Sequence, residues 1–96
     1  MGIDELIHPK RELIRRIAER HGALNVRVFG SVARGDAGEQ SDVDFLIETG
    51  PSTSAWFPGG LVADLEDALG RRVEVVTERA LKPHLLERVL REAVPV

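Results

Sequence analysis

The sequence predicts a small α/β domain: about three strands forming a small mixed sheet backed by helices, in the order α-β-α-β-α-β-α. Three observations predict it. Apolar residues recur at helical spacing in three segments, 9–21, 61–69 and 79–93. Short β-rich runs, 24–29, 42–48 and 72–77, lie between them. Glycines close several segments, at Gly22, Gly30, Gly35 and Gly70. Helices alternating with strands are the pattern of a sheet covered by helices.

The elements follow in order. Pro9 suits a first helical turn, and Leu13, Ile14, Ile17 and Ala18 give the helix over 9–21 its apolar face. The strand over 24–29 (Leu-Asn-Val-Arg-Val-Phe) ends abruptly at Gly30-Ser31, and a short helix from 31 to 34 stops at Gly35. Residues 36–41 form a polar loop. In the strand over 42–48, Val43, Phe45 and Ile47 share one face and Asp42 and Asp44 the other. Residues 49–60 read as a long irregular loop, rich in Gly, Pro and Ser, that could border the site. Leu61, Leu65, Ala68 and Leu69 mark the helix over 61–69. The strand over 72–77 follows. Pro83 divides the last helical segment, 79–93, whose apolar stripe runs from Leu81 to Ala93.

Ninety-six residues, 43% of them apolar, suffice for one domain with one core, spanning 1–96. No cysteine is present, which excludes a disulfide frame and thiolate metal sites. A net charge of −3 argues against a general nucleic-acid grip, so no direct nucleic-acid binding is expected. No apolar run approaches membrane-spanning length and the acidic N-terminus lacks a signal-peptide pattern, so the expectation is a cytoplasmic protein without membrane attachment.

The chemistry concentrates in two motifs. Gly30-Ser31 opens a helix after a strand, where free N–H groups and a hydroxyl can meet a phosphate. Ten residues separate Ser31 from Asp42, which begins Asp42-Val43-Asp44. Carboxylates at i and i+2 of a strand point the same way and can both hold a divalent metal. A phosphate cradle joined to paired carboxylates is the equipment of nucleotidyl or phosphoryl transfer. Glu74, between Val73 and Val75, is either a third carboxylate for the same metals or a solvent-facing strand residue. Arg34, one turn beyond Ser31, either neutralises phosphate or holds its loop. Trp56 and Phe57 either stack on a base or partner, or anchor the long loop to the core. His8, His21 and His84 show no ligand spacing and read as surface residues.

On Gly30-Ser31, the ten-residue spacing and Asp42-Val43-Asp44, the chain resembles minimal nucleotidyltransferases of the DNA polymerase beta superfamily. The likeness extends through 65–77 to the closing Arg88-Val89-Leu90-Arg91-Glu92-Ala93. The resemblance implies that Asp42, Asp44 and Glu74 are catalytic and bind two Mg²⁺ ions. It also implies that Gly30, Ser31 and Arg34 receive the phosphates of ATP. One departure is Glu74, where the family usually has Asp. Family members like this one are antitoxins paired with a HEPN-type RNase toxin, which they silence by moving AMP from ATP to a tyrosine. Two rival readings stay open: an antitoxin that masks its toxin without catalysis, and a nucleotidyltransferase acting on a small molecule. The latter would need a homo-oligomer to supply an acceptor surface.

Overall fold

A computed structural model describes all residues from Met1 to Val96. Five helices are present: α1 (Ile3–Leu6), α2 (Arg11–Arg20), α3 (Gly30–Arg34), α4 (Gly59–Leu69) and α5 (Pro83–Glu92). Four strands complete the fold: β1 (Ala23–Phe29), β2 (Val43–Thr49), β3 (Val73–Thr77) and β4 (Val94–Pro95). Single 3₁₀ turns at His8–Lys10 and Glu78–Ala80 precede α2 and α5. The sheet order is β3-β2-β1-β4. β1 pairs antiparallel with both β2 and β4, while β2 and β3 are parallel, joined through α4. The sheet is thus mixed, and it has four strands rather than about three.

Alternation along β2 decides which face is core. Val43, Phe45 and Ile47 are fully buried in one cluster with Val28, Ile14, Ile17, Leu61 and Leu65 from β1, α2 and α4. That face is covered by helices, as the apolar periodicity of α2 and α4 requires. The opposite face carries Asp44 and Glu48, with Leu46 buried between them outside the main cluster.

The structure corrects several expectations. Strand β2 begins at Val43, so Asp42 is the residue before the strand. Pro9 sits in the 3₁₀ turn and the helix proper starts at Arg11. Between Leu24 and Arg27 the β1–β2 register shifts at a bulge, where Asn25 takes φ +48°. Asparagine is among the few side chains that tolerate this left-handed region.

Two further corrections concern the end of the sheet where β1 starts. His21 is not a surface residue: its side chain is only 13% exposed. Its Nδ1 lies 2.6 Å from Ser54 Oγ and its Nε2 2.7 Å from Asp64 Oδ2, so it clamps the loop after β2 onto α2 and α4. Gly50 N–H donates to Gly22 O and Ser54 N–H to His21 O. The loop over 49–60 therefore does not border the carboxylates. A seven-residue strand carries the chain roughly 20 Å from its start. In that loop Phe57 packs on the core, whereas Trp56 is 89% exposed and anchors nothing.

Candidate active site

The register of the sheet assembles the site. Phe29 at the end of β1 pairs with Asp44, and Asp44 pairs with Glu74 on β3. Adjacent strands lie about 4.8 Å apart, so Asp44 and Glu74 are neighbours on the face opposite the core. The chain then turns at Gly30, which caps the same row.

Gly30 has φ +73°. A Cβ there would overlap Asp44 Oδ2, so any other residue would collide with the carboxylate. Glycine is required both for the left-handed backbone and for this close approach. Ser31 follows in the first turn of α3. Arg34 closes α3; its guanidinium reaches Glu92 at 3.2 Å and Asp36 at 3.4 Å. Glu92 first, then Asp36, hold that guanidinium firmly in its charged form.

Asp44 is half-buried and electrostatically unbalanced. Burial, followed by the negative charges of Glu74 and Asp42, pushes its pKa up to about 6 from 3.8; Glu92 adds to the rise and Arg34 opposes it. A carboxyl displaced by burial and by like-charged neighbours is a candidate for a functional site. Asp42 is placed differently: its Oδ1 accepts from Arg72 Nε at 3.1 Å. Arg72 is held only at the surface, with 80% of its side chain exposed. Its carbonyl accepts from Val43 N–H, which fixes β3 beside the start of β2. As the side chains stand, no three acidic or imidazole groups converge into a finished cage. Asp44 and Glu74 are brought together, and Asp42 waits beside them on a surface arginine.

One residue at the site was not foreseen. Glu92 Oε1 accepts from the Gly30 N–H at 2.9 Å, across 62 residues of sequence. The signal was present in local terms: Glu92 is the last residue of α5, where an acidic group opposes the helix dipole and so calls for a partner elsewhere. A cleft of about 260 Å³ adjoins this contact, lined by Arg34, Leu85, Arg88, Val89 and Glu92.

A glycine-serine turn seated on a carboxylate pair, on the open face of a mixed sheet, defines an enzyme of the group-transfer class that handles nucleoside phosphates. Comparison with known proteins gives the particular family. Residues 10–96 match the model of the nucleotidyltransferase domain. The chain is 40% identical over 96 residues to a Methanocaldococcus jannaschii protein named, provisionally, protein adenylyltransferase MJ0435, covering 100% of this chain and 99% of that one. It is also 40% identical over 82 residues to protein adenylyltransferase MntA of Thermococcus cleftensis, covering 85% and 83%. A solved structure described, again provisionally, as a minimal nucleotidyltransferase superposes with a TM-score of 0.87 at 46% identity, over 100% of this chain and 97% of that one. A more distant neighbour, a crystal structure of a toxin–antitoxin with AMP-PNP, shares the fold at a TM-score of 0.73 and 20% identity, over 90% and 70%. The chain belongs to the nucleotidyltransferase family and is a nucleotidyltransferase.

Proposed function

We propose that this nucleotidyltransferase is an antitoxin that moves AMP from ATP to a tyrosine hydroxyl of a cognate HEPN-type RNase toxin. The observation that carries the reading is the Gly30-Ser31 turn resting directly on Asp44, beside Glu74. Relatives named protein adenylyltransferases support the transfer of an adenylyl group to a protein. Distant neighbours described as toxin–antitoxin structures support the kind of partner.

The donor set fits magnesium. Asp42, Asp44 and Glu74 offer only hard oxygen ligands, and burial first, then the charges of Glu74 and Asp42, raise the pKa of Asp44. Mg²⁺ held by these carboxylates would neutralise polyphosphate charge and ease ionisation of the attacking hydroxyl. The protein groups have separate tasks. Ser31 donates its hydroxyl to a β- or γ-phosphate oxygen. Arg34 places positive charge at the mouth of the turn. Glu74 accepts the tyrosine proton as the phenolic oxygen attacks the α-phosphorus. The bond from that phosphorus to the bridging oxygen breaks and pyrophosphate leaves, so the tyrosine gains one AMP for each ATP spent.

The acceptor in this reading is a separate protein, in keeping with relatives named for adenylyl transfer to proteins. Helix α5 offers a docking face: Leu85 and Leu90 are exposed and none of its residues is fully buried. The test is intact-mass measurement of this chain co-incubated with a HEPN-type RNase as partner, ATP and Mg²⁺. The expected product is a partner heavier by whole AMP units, with its RNase activity lost in step. A partner inhibited at one-to-one stoichiometry without any mass gain would overturn the transfer reading in favour of masking.

A further inference from the structure

We propose that Glu92 is a positioning residue for nucleotidyl transfer: it sets the Gly30-Ser31 turn for the nucleotide's phosphates, acting through Gly30 and Arg34 without touching the substrate. The inference deepens the reading above and rests on that turn being the polyphosphate seat.

Helix α3 has five residues, little more than one turn, and such a piece has no stability of its own. Glu92 grips both of its ends. One carboxylate oxygen takes the N–H of Gly30, the first residue, at 2.9 Å. The other takes Nη1 of Arg34, the last residue, at 3.2 Å. Both bonds are charge-assisted, the stronger class of protein hydrogen bond. They link segments 62 and 58 residues apart, so no local preference of the chain could produce them.

The grip matters because of what Gly30 rests on. Its Cα lies against the Asp44 carboxylate with no room for a methyl group. A shift of the turn therefore changes both the phosphate seat and the surroundings of Asp44. Reactive geometry tolerates little displacement, and a misplacement near 1 Å can cost on the order of a hundredfold in rate. Glu92 also sorts the available donors. It engages the Gly30 N–H and the Arg34 guanidinium, and neither contact uses the Ser31 hydroxyl proposed for the phosphate. The cost of an acid at the C-terminus of α5 is thereby offset by two ionic hydrogen bonds made to another element.

Three substitutions in the full chain separate reach from charge. Glu92→Ala removes both bonds. Glu92→Gln keeps an oxygen for the Gly30 N–H but loses the charge. Glu92→Asp keeps the charge but falls short by one methylene. Glu87→Ala is the control, since Glu87 pairs only with Arg91 on the exposed side of α5. Binding of a non-hydrolysable ATP analogue with Mg²⁺ is read by titration calorimetry. The Gly30 amide resonance is read by ¹⁵N-¹H spectroscopy without nucleotide. Glu92→Ala and Glu92→Asp are expected to weaken binding about tenfold, the loss of roughly one well-made charge-assisted bond. Glu92→Gln is expected to stay within about threefold of the parent because the turn keeps its acceptor. The Gly30 resonance should move in the Ala and Asp variants and stay near its place in the Gln variant. Equal binding by parent and Glu92→Ala would reduce Glu92 to a structural tie, and tighter binding would make it a plug. A Gln variant as weak as the Asp variant would overturn the Gly30 route. If Glu92→Ala does not fold, the Gln and Asp variants decide between these outcomes. A parent that binds no analogue while Gly30 still responds to Glu92 would instead sink the polyphosphate seat, and this proposal with it.

Discussion

Strands β2 and β3 and the turn after them carry two carboxylate pairs, Asp44–Glu74 and Glu48–Glu78, four residues apart along the chain in each case. Their electrostatics differ sharply. At the second pair, hydrogen bonding to Glu48 raises the pKa of Glu78, while the same contact, helped by Asn25, lowers that of Glu48. Arg27 stands 3.4 Å from Glu78 and supplies the balancing charge. That pair is settled by its own neighbours. At Asp44–Glu74 the nearby cation, Arg34, is already committed to Glu92 and Asp36, and the glycine above Asp44 excludes any further side chain. Two carboxylates on one sheet face are therefore not a metal site in themselves. What distinguishes the first pair is that its nearby cation is shared with other acids and that the Gly30 turn sits directly against Asp44.

The strongest way to break this comparison is to exchange roles. Asp44→Asn should cut AMP transfer by at least about a hundredfold, because the ligand proposed for the metal loses its charge. Glu48→Gln, with equal chemistry at the settled pair, should leave transfer within about twofold. Initial rates with radiolabelled ATP would show this, and similar losses in both variants would erase the distinction. Next in size is Glu74. Glu74→Gln should depress transfer strongly, whereas Glu74→Asp should retain or improve it, since the shorter acid alters only where the oxygen lands. Transfer by Glu74→Ala at the parent's rate would mean that two carboxylates suffice.

Much of this contrast was legible from the sequence, and the illegible parts have physical causes. The alternation Val43, Phe45, Ile47 placed Asp44 on the open face, and the strand-breaking Gly30-Ser31 placed the turn beside it. Helix α1 and strand β4, of four and two residues, are too short for any period to register. Both exist because tertiary contacts hold them, as when Val96 N–H donates to Val26 O. The Glu92 tie and the His21 clamp join segments 62 and 33 to 43 residues apart, which spacing rules cannot see. The 49–60 loop, which could have bordered the site, leaves the far end of β2 instead, and a loop's composition carries no record of which strand end it leaves.

Two smaller effects sharpen the picture. His21→Ala should lower unfolding free energy by about 1–3 kcal/mol, since Ser54 and Asp64 both lose a partly buried partner. Transfer should be untouched at temperatures where the variant is folded, because the clamp lies at the far end of β2. Chemical denaturation beside activity would check both halves. The last effect is pH-dependent. The folded pKa of Asp44, about 6, lies above its ordinary 3.8, so the folded state holds the proton more tightly. Stability from this group is present below about pH 4, falls as pH rises toward 6, and stays lost above that. Asp44→Asn should therefore be more stable than the parent at pH 8 by about 1 kcal/mol, allowing for solvent screening at a half-exposed group, and should match it near pH 3.5. Thermal melts across that range, with and without Mg²⁺, would reveal the crossover, and the parent alone should gain stability from the ion.

The bare indole of Trp56 has a practical side. It is the only tryptophan, and the chain has no tyrosine, so the intrinsic ultraviolet emission comes from a ring already 89% in water. Unfolding hardly alters that ring's surroundings, which makes fluorescence a poor gauge of denaturation for this protein. The same property makes it a sensitive reporter of contact: anything that settles on the loop and excludes water from the ring will shift its emission to the blue.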